Sequence, residues 1–270
     1  MRVGIVGLGL IGGSLALALR GRYEVTGWSP SPATRAAAGA SGVAIAADLF
    51  ALLPADAVIV CAPLAEIVPT LERLAARSGS TVLIDVGSLK GPVAAYALRA
   101  PARARIVGGH PMAGTTATGF AAAEAGLFRD RPFLLVPTAR SDEASLALAG
   151  ELARAAGGIV TVLGAEAHDR VVAVLSALPF LVAAALARAG AELAGSATAS
   201  LAGPGFRDTT RLAGTPPSLA ASMLAGNSPN VLEALARFRA SLDALERAVA
   251  TGDPATIAGA LAELREVSSP

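Results

Sequence analysis

A rare imidazole stands among small residues in GGHPMAG, residues 108–114, directly after the strand-like run ARIV. The chain has two histidines, and the glycines before His110 and the proline after it leave room for a ligand beside the ring. An imidazole with a pKa near neutrality can accept a proton from a hydroxyl while hydride leaves the same carbon. We predict that His110 is a general base; the alternative is a core histidine bonded to the backbone. His168, which begins a helical segment, is predicted to be structural.

The segment DVGSLK, residues 85–90, is a second candidate at the end of a strand. Ligands of open α/β folds bind at the rim where the carboxyl ends of the strands meet. Ser88 is expected to hydrogen-bond a substrate hydroxyl or to orient the imidazole. Lys90 is the only lysine in the chain, and we place it at the cofactor site. Asp85 is equally well explained as a turn or helix-capping residue.

The segment GPGFRDTTR, residues 203–211, is unusually polar for this apolar chain. A guanidinium can bind a carboxylate through two hydrogen bonds, and a neighbouring aspartate can fix its orientation. We therefore predict that Arg207, Asp208 and Arg211 form an anion-binding cluster. The alternative is a solvated loop with a surface ion pair.

A glycine-rich turn follows the first β-branched run of the chain and opens an Ala/Leu helix. In a GxGxxG motif the first glycine permits the turn, the second admits a pyrophosphate and the third lets helix and strand pack closely. The free N–H groups and positive dipole end of the helix favour the phosphates. The predicted dinucleotide-binding residues of this motif are Gly7, Leu8, Gly9, Leu10, Ile11 and Gly12; the alternative is a purely structural turn.

The end of the second strand bears on which dinucleotide is bound. NAD-binding proteins of this kind carry Asp or Glu about 20 residues past the motif to hold the ribose 2′-hydroxyl. No acid occurs from Gly27 to Arg35. A 2′-phosphate is expected to lie among Ser29, Ser31, Thr34 and Arg35, so NADP is favoured over NAD. Cys61 and Pro63, after the run AVIV, complete the predicted cofactor site.

Short apolar runs alternating with helical segments must position these groups. The predicted strands lie in RVGIV, YEVTGWS, AVIVCAP, TVLIDVGS, ARIVGGH, FLLVP and IVTVL. Strands separated by helical crossovers form a parallel, doubly wound sheet. After Leu163 the spacing is helical throughout. The sequence thus predicts an α/β fold: a Rossmann-type dinucleotide-binding domain over residues 1–164, followed by an all-helical domain over residues 165–270 for substrate binding and dimerisation.

The composition of the chain bears on which partners it can bind and in which cellular compartment we expect it. A net charge of +1 provides no field that would attract nucleic acid or an anionic membrane. One cysteine excludes an internal disulfide and is compatible with a reducing cytoplasm, and two histidines with one cysteine make a poor metal site. The uncharged run from Val3 to Leu19 superficially resembles a signal peptide, but the glycine motif interrupts it and explains it better. The uncharged run from Val171 to Ala187 is predicted to be a buried helix, because it contains Pro179 and is shorter than a membrane span.

Four segments together carry a family resemblance. GLGLIGGSLA, DVGSLK, GGHPMAGT and GPGFRDTTR, in this order and spacing, resemble the prephenate/arogenate dehydrogenase family of tyrosine biosynthesis over almost the whole chain. The resemblance implies a homodimer and the oxidative decarboxylation of a cyclohexadienol, with hydride passing from C4 to NAD(P). It implies that His110 is the catalytic histidine assisted by Ser88, and that Arg211, ordered by Asp208, binds a substrate carboxylate. Arg207, Thr115 and Ser176 are placed with them in the substrate site.

The sequence also departs from the family pattern. Many members have Ser-His-Leu-Pro-His where this chain has SALPF, residues 176–180, and many prephenate-selective members have an acid where Thr116 stands. A keto-acid loses hydrogen-bond donors when Ala177 and Phe180 replace histidines, and unpaired buried polar groups are costly. Arogenate is therefore the expected substrate, with prephenate weaker.

Two other functions are compatible with parts of the sequence. A 3-hydroxyacid or phosphogluconate-type dehydrogenase also joins a Rossmann domain to helices, but such enzymes use a lysine in the helical domain, and no lysine follows Lys90. A non-catalytic NADP-binding sensor explains the glycine motif but leaves His110, Ser88 and the arginine–aspartate segment without a role.

Overall fold

A computed structural model describes residues 1–115, 117–195 and 200–266 of the chain. Its first part is built around one eight-stranded sheet. The strands are β1 (Arg2–Val6), β2 (Glu24–Trp28), β3 (Ala44–Ile45), β4 (Ala57–Val60), β5 (Val82–Asp85), β6 (Arg105–Pro111), β7 (Pro132–Pro137) and β8 (Ile159–Val162). The seven predicted strands are all present, and β3, only two residues long, is an addition at the edge of the sheet.

The strand order is β3-β2-β1-β4-β5-β6-β7-β8, which is the doubly wound arrangement with the chain reversing direction beside β1. All neighbouring strands are parallel except β6 and β7, which are antiparallel. The prediction of a wholly parallel sheet was wrong at this pair. Among its described residues, the connection from β6 to β7 contains only a short 3₁₀ turn, Phe120–Ala122, and no crossover helix to bring β7 back in the same direction.

Helices cover both faces of the sheet and create a core on each side. They are α1 (Leu10–Leu19), α2 (Pro32–Ala40), α3 (Leu64–Ala75), α4 (Gly91–Arg99) and α5 (Glu143–Ala155). Alternate β4 residues face opposite cores: Ile59 packs on the α1 side, and Val60 on the α3 side. Helix α3 buries Ile67, Leu71 and Leu74, whose spacing places them on one face of a helix. These two cores fix the strand ends at which the candidate site lies.

The second part is helical, and no strand follows β8 among the described residues. Its helices are α6 (Ala165–Val172), α7 (Leu178–Ala194), α8 (Pro204–Thr210), α9 (Pro217–Gly226), α10 (Ser228–Ala250) and α11 (Pro254–Glu266). A π-helical turn, Ala173–Ala177, joins α6 to α7 without a break. The two parts therefore have the predicted architectures, a Rossmann-type sheet domain followed by helices.

The apolar helix of the second part is only partly buried in the single chain. Residues Ala165–Ala194 form a 30-residue helical segment that is long and apolar enough to cross a membrane by length and composition, and only 22% of its most apolar window is buried. Leu175 is 63% exposed and Leu193 is 89% exposed. The prediction of a buried helix over Val171 to Ala187 was thus wrong for the isolated chain. Some of its residues, including Ala173 and Ala177, are nevertheless buried in a small core with Val231.

Candidate active site

The glycine motif forms a tight turn between β1 and α1. Gly7 has a positive φ of 84°, and a Cβ there would lie 2.4 Å from the carbonyl oxygen of Cys61. A Cβ on Gly12 would lie 1.8 Å from the carbonyl oxygen of Gly7, so only glycine allows α1 to approach the strand this closely. A Cβ on Gly9 would meet nothing within 4 Å. The first and third glycines are thus required by packing, whereas the second faces open space in which a phosphate group fits.

The other predicted cofactor residues around this turn differ in what they expose. The Leu8 side chain is fully buried against Gly27, which leaves only its backbone for a ligand. Leu10 and Ile11 are half-buried at the start of α1. Cys61 is partly accessible and Pro63 is exposed, both at the carboxyl end of β4. Burial, and to a smaller extent the Asp85 carboxylate, raises the pKa of the Cys61 thiol well above its usual range. The groove therefore presents backbone and a neutral thiol.

The segment after β2 has a fixed conformation. Ser31 caps α2 by accepting a hydrogen bond from the Thr34 N–H at 3.2 Å. The Arg35 guanidinium donates to the carbonyl oxygen of Ser29 at 2.5 Å and to that of Pro30 at 3.2 Å. This arrangement holds a cationic group and two hydroxyls beside the end of β2, with no carboxylate between Gly27 and Arg35. It is compatible with an anionic 2′-phosphate.

His110, near the end of β6, is bonded to the second histidine of the chain. Its Nδ1 lies 2.9 Å from Nε2 of His168, and Nδ1 of His168 lies 2.8 Å from Oδ1 of Asp169. The two rings are tilted by 58° with centroids 5.1 Å apart. His168 is fully buried, whereas His110 keeps part of its ring accessible. The structure thus joins an accessible imidazole to a buried carboxylate through a buried imidazole.

The tautomers of His110 and His168 follow from which atoms of the three bonded side chains can donate a proton and which can only accept one. An ionised Asp169 only accepts hydrogen bonds, so the proton of a neutral His168 lies on Nδ1 and its Nε2 is an acceptor. Nδ1 of His110 must then carry a proton and donate the hydrogen bond to Nε2 of His168. The remaining nitrogen, Nε2 of His110, has a free lone pair and makes no hydrogen bond to any described residue. His110 is therefore arranged to accept a proton through Nε2.

Burial and neighbouring charges keep His110 neutral. Burial is the largest cause that lowers the pKa of His110 to about 3; the electrostatic effects of Lys90 and His168 lower it further, and that of Asp169 opposes them. For Asp169 itself, burial raises the pKa, but hydrogen bonds from His168 and from the backbone N–H groups of Lys90 and Gly91 outweigh it, so the pKa is lowered. At neutral pH the site holds a neutral imidazole and an ionised carboxylate, the states a general base and its orienting partner need.

Asp169 connects the helical part to the sheet. Its Oδ1 accepts from the Lys90 N–H and its Oδ2 from the Gly91 N–H, each at 2.8 Å, at the start of α4. Its own carbonyl oxygen accepts from Nδ2 of the buried Asn227 at 2.7 Å. The carboxylate that orients His168 is thus fixed from the sheet domain, and the carbonyl of the same residue from the helical domain.

Lys90 does not lie where we predicted. Its side chain is fully buried, and the ammonium donates to Oδ1 of Asp85 and, at 2.7 Å, to the carbonyl oxygen of Gly109. Burial lowers the pKa of Lys90 and raises that of Asp85, and their mutual attraction opposes both shifts. An ammonium enclosed in this way does not face the dinucleotide groove, which corrects its placement in the cofactor site. Asp85 also accepts from the Gly87 N–H at 2.9 Å, the turn role expected for it.

The other predicted substrate residues are spread around the rim. Ser88 is half-buried, and among the described residues the hydrogen bond of the His110 ring goes to His168 and not to Ser88. Ser176 is half-buried in the π-helical turn, and such turns are frequent at functional sites. Thr115 is exposed, with its hydroxyl accepting from the Ala117 N–H. Thr116 lies outside the described residues.

The anion-binding cluster is not preassembled. Arg207 and Asp208 lie on α8, and Arg211 begins the 3₁₀ turn that follows it. All three side chains are exposed, and within the described part of the chain none of them forms an ion pair. The predicted orientation of an arginine by Asp208 is therefore absent in the isolated chain, and the guanidinium groups are free to bind an anion.

His168 and Asp169 are the site residues that the sequence interpretation missed. His168 was predicted to be structural, yet it bonds the candidate base across 58 residues of sequence. A signal was present: it is one of two histidines and is followed at once by an acid, in a helix that opens the second domain.

Comparisons with known proteins find relatives that match nearly the whole chain. The family model described as "Prephenate dehydrogenase, nucleotide-binding domain" matches residues 15–162, and that described as "Prephenate dehydrogenase, dimerization domain" matches residues 164–263. The chain is 33% identical over 261 residues to a prephenate dehydrogenase of Bacillus subtilis (strain 168), covering 92% of this chain and 70% of that protein.

Solved structures share the fold over nearly the full length. An arogenate dehydrogenase of Synechocystis has a TM-score of 0.86 at 33% identity, with 99% of each chain covered. A prephenate dehydrogenase of A. aeolicus, solved with hydroxyphenyl propionate and NAD⁺, has a TM-score of 0.89 at 27% identity, covering 99% of this chain and 97% of that one.

Proposed function

Because the chain belongs to the prephenate dehydrogenase family, we propose that it oxidatively decarboxylates a cyclohexadienol, arogenate or prephenate, using a nicotinamide dinucleotide. Membership of this family makes it an oxidoreductase and removes the hydroxyacid-dehydrogenase alternative. The observation that carries the proposal is the neutral His110, held by His168 and Asp169 at the end of β6, on the same sheet whose first strand leads into the glycine turn. This is the group that such a reaction needs at the substrate hydroxyl.

The glycine turn fits the cofactor that the reaction requires. Gly7 and Gly12 have no room for a Cβ, and Gly9 faces open space at the start of α1. When bound, the nicotinamide supplies the hydride acceptor. Ser29, Ser31, Thr34 and Arg35 surround the end of β2 without a carboxylate, which favours a 2′-phosphate and hence NADP over NAD.

His110 takes the proton that oxidation of the substrate alcohol releases. As hydride leaves C4 of the ring, the O–H bond breaks and its proton passes to Nε2 of His110. The positive charge that then develops on His110 is stabilised through His168 by the Asp169 carboxylate. Ser88, at the same rim, donates or accepts a hydrogen bond at the substrate hydroxyl.

Loss of carbon dioxide completes the reaction without a further protein base. The new carbonyl at C4 is an electron sink para to the ring carboxylate. When the carbon–carbon bond to that carboxylate breaks, carbon dioxide leaves, the electron pair of the bond enters the ring and restores aromaticity, and the C4 oxygen becomes a phenolate. The phenolate then takes back the proton held on Nε2 of His110. The protein therefore mainly needs to orient the reactants, accept one proton and hold the anionic substrate.

Arg211 holds a substrate carboxylate in this scheme. Its guanidinium is exposed and forms no ion pair with another residue that the structure describes, so it can form a bidentate contact with the anion. Asp208, one helical turn before it, orders the arginine once the ligand is in place. Arg207 contributes less, and Thr115 and Ser176 line the same opening.

The side chain of the substrate decides between arogenate and prephenate. Ala177 is buried and Phe180 is half-buried at the junction of the π-helical turn and α7. Neither can donate a hydrogen bond to a keto group, whereas arogenate carries an ammonium that pairs with its own carboxylate or with backbone carbonyl groups. We therefore assign arogenate as the preferred substrate and prephenate as the weaker one.

A second copy of the chain covers the apolar helix. Leu175, Leu186 and Leu193 are exposed on the segment Ala165–Ala194, which lies in the domain whose family model is described as a dimerization domain. A monomeric protein rarely leaves such a surface to water, and a two-fold pair buries it on both subunits.

The experiment that tests the proposal is a comparison of kcat/KM for arogenate and prephenate, each with NAD and NADP. We expect turnover with at least one pair and the highest value for arogenate with NADP. No reduction of either dinucleotide by either substrate is the result expected of a non-catalytic sensor and contradicts the proposal.

A further inference from the structure

We propose that the buried pair of Asp85 and Lys90 positions His110 for proton transfer and has no direct contact with the dinucleotide. This inference rests on the proposed function, in which His110 is the base. It gives a role to the only lysine of the chain and to the two glycines that precede the histidine.

Lys90 contacts both ends of the hydrogen-bonded series His110–His168–Asp169. Its ammonium donates to the carbonyl oxygen of Gly109, the residue immediately before His110, at 2.7 Å. Its backbone N–H donates to Oδ1 of Asp169, the oxygen that also bonds His168, at 2.8 Å. One residue therefore fixes the backbone that carries the base and the carboxylate that orients its partner.

The two glycines provide the space for this pair. A Cβ on Gly108 would lie 3.0 Å from Cδ of Lys90, and a Cβ on Gly109 would lie 2.8 Å from the carbonyl oxygen of Asp85. Glycine at both positions lets the lysine stem and the end of β5 lie directly against β6. The GGH sequence is thus explained by what packs behind the histidine.

A purely structural role does not account for an ion pair at this place. Replacing a buried ion pair by well-packed apolar residues of similar volume is often neutral or stabilising, so stability alone gives little reason for an ion pair here. The Lys90 ammonium instead supplies two directed hydrogen bonds, to Asp85 and to the Gly109 carbonyl oxygen, and a positive charge that acts on the His110 imidazole. The charged and titratable groups that influence His110 are Lys90, His168 and Asp169, and Asp85 lies beyond the lysine. Among these, Lys90 and His168 oppose protonation of His110 and Asp169 favours it.

The test uses a double variant that removes the pair without leaving one charge unpaired. The double variant Asp85→Asn/Lys90→Met removes both charges at once. It also removes the ammonium that donates a hydrogen bond to the Gly109 carbonyl oxygen. We expect kcat to fall by about tenfold to hundredfold, the scale of a small misplacement of a catalytic group. The KM for the dinucleotide should stay within about twofold, because the pair does not touch it. A large rise in that KM with little loss of kcat would overturn the proposal in favour of a cofactor contact.

An imidazole titration provides a readout that needs no substrate. The chain has only two histidines, so NMR of ring-labelled protein follows each of them directly. Wild-type His110 should stay neutral down to about pH 5, and in the double variant it should titrate at a higher pH than in the wild type. Wild-type titration of His110 near its ordinary pKa of about 6.5, or an unchanged titration and kcat in the variant, contradicts the proposal. The wild-type measurement holds even where the variant does not fold.

A matched control separates positioning from lost stability. Leu74→Ala removes a fully buried side chain of α3 that packs in the core between α3 and the sheet. This variant should lower the melting temperature without changing kcat or the His110 titration. If wild-type protein turns over neither cyclohexadienol but shows the expected titrations, the proposed function fails while the positioning of His110 by Lys90 stands.

Discussion

Replacing His168 by leucine tests whether the buried histidine orients the base. The substitution removes the acceptor at 2.9 Å from Nδ1 of His110 and the donor at 2.8 Å from Asp169. Leaving a buried polar group unsatisfied costs about 1–3 kcal/mol. If that cost appears in the transition state, at about 1.36 kcal/mol for each factor of ten, kcat falls by about 5- to 160-fold.

The assay is kcat at saturating substrate and dinucleotide, with the melting temperature measured in parallel. Arg170→Ala is the matched control, since Arg170 lies on the same helix in an exposed ion pair with Glu166 and surface substitutions of this kind change little. We expect the control to retain wild-type kcat. A folded His168→Leu protein with kcat within about twofold of wild type would refute the orienting role.

Four further predictions concern the activity and titration of the base, the binding of the anion and the assembly of the chain. His110→Asn should lower kcat by about 10²–10⁴-fold with little change in substrate KM, measured by steady-state kinetics. Burial lowers the pKa of His110 to about 3, so the stability from its neutral form is complete above about pH 6.5 and is lost as the pH falls towards 3; the wild type should lose more melting temperature between pH 7 and pH 5 than His110→Asn. Arg211→Ala should raise the substrate KM more than Arg207→Ala does, and the reverse ranking would identify the wrong arginine. Light scattering at micromolar concentration should give a dimer, and a monomer contradicts the burial of α7.

Local patterns in the sequence were sufficient for the sheet domain. The glycine turn at residues 7–12 and the apolar runs of the strands depend on neighbours in sequence, so their positions could be predicted. The direction of β7 depends on whether its connection contains a crossover helix, and the residues between β6 and β7 form only a short turn. The prediction of a parallel β7 assumed that strands and helices alternate there as they do earlier in the sequence, but a crossover helix is not found in the described part of that connection.

Tertiary contacts were the part that sequence patterns did not reach. The bond from His110 to His168 and the burial of Lys90 arise when β5, β6, α4 and α6 pack together. A lone lysine can be recognised in a sequence, but whether it faces a ligand or a carboxylate depends on that packing. In the proposed dimer a second subunit covers the exposed side of α7, and the pattern of a single sequence does not show such a contact.

The most direct test of the central claim is the stoichiometry of the reaction with purified wild-type protein and arogenate with NADP. Oxidative decarboxylation predicts one reduced dinucleotide and one carbon dioxide for each aromatic product formed. Aromatic product without dinucleotide reduction, or reduced dinucleotide without release of carbon dioxide, contradicts it.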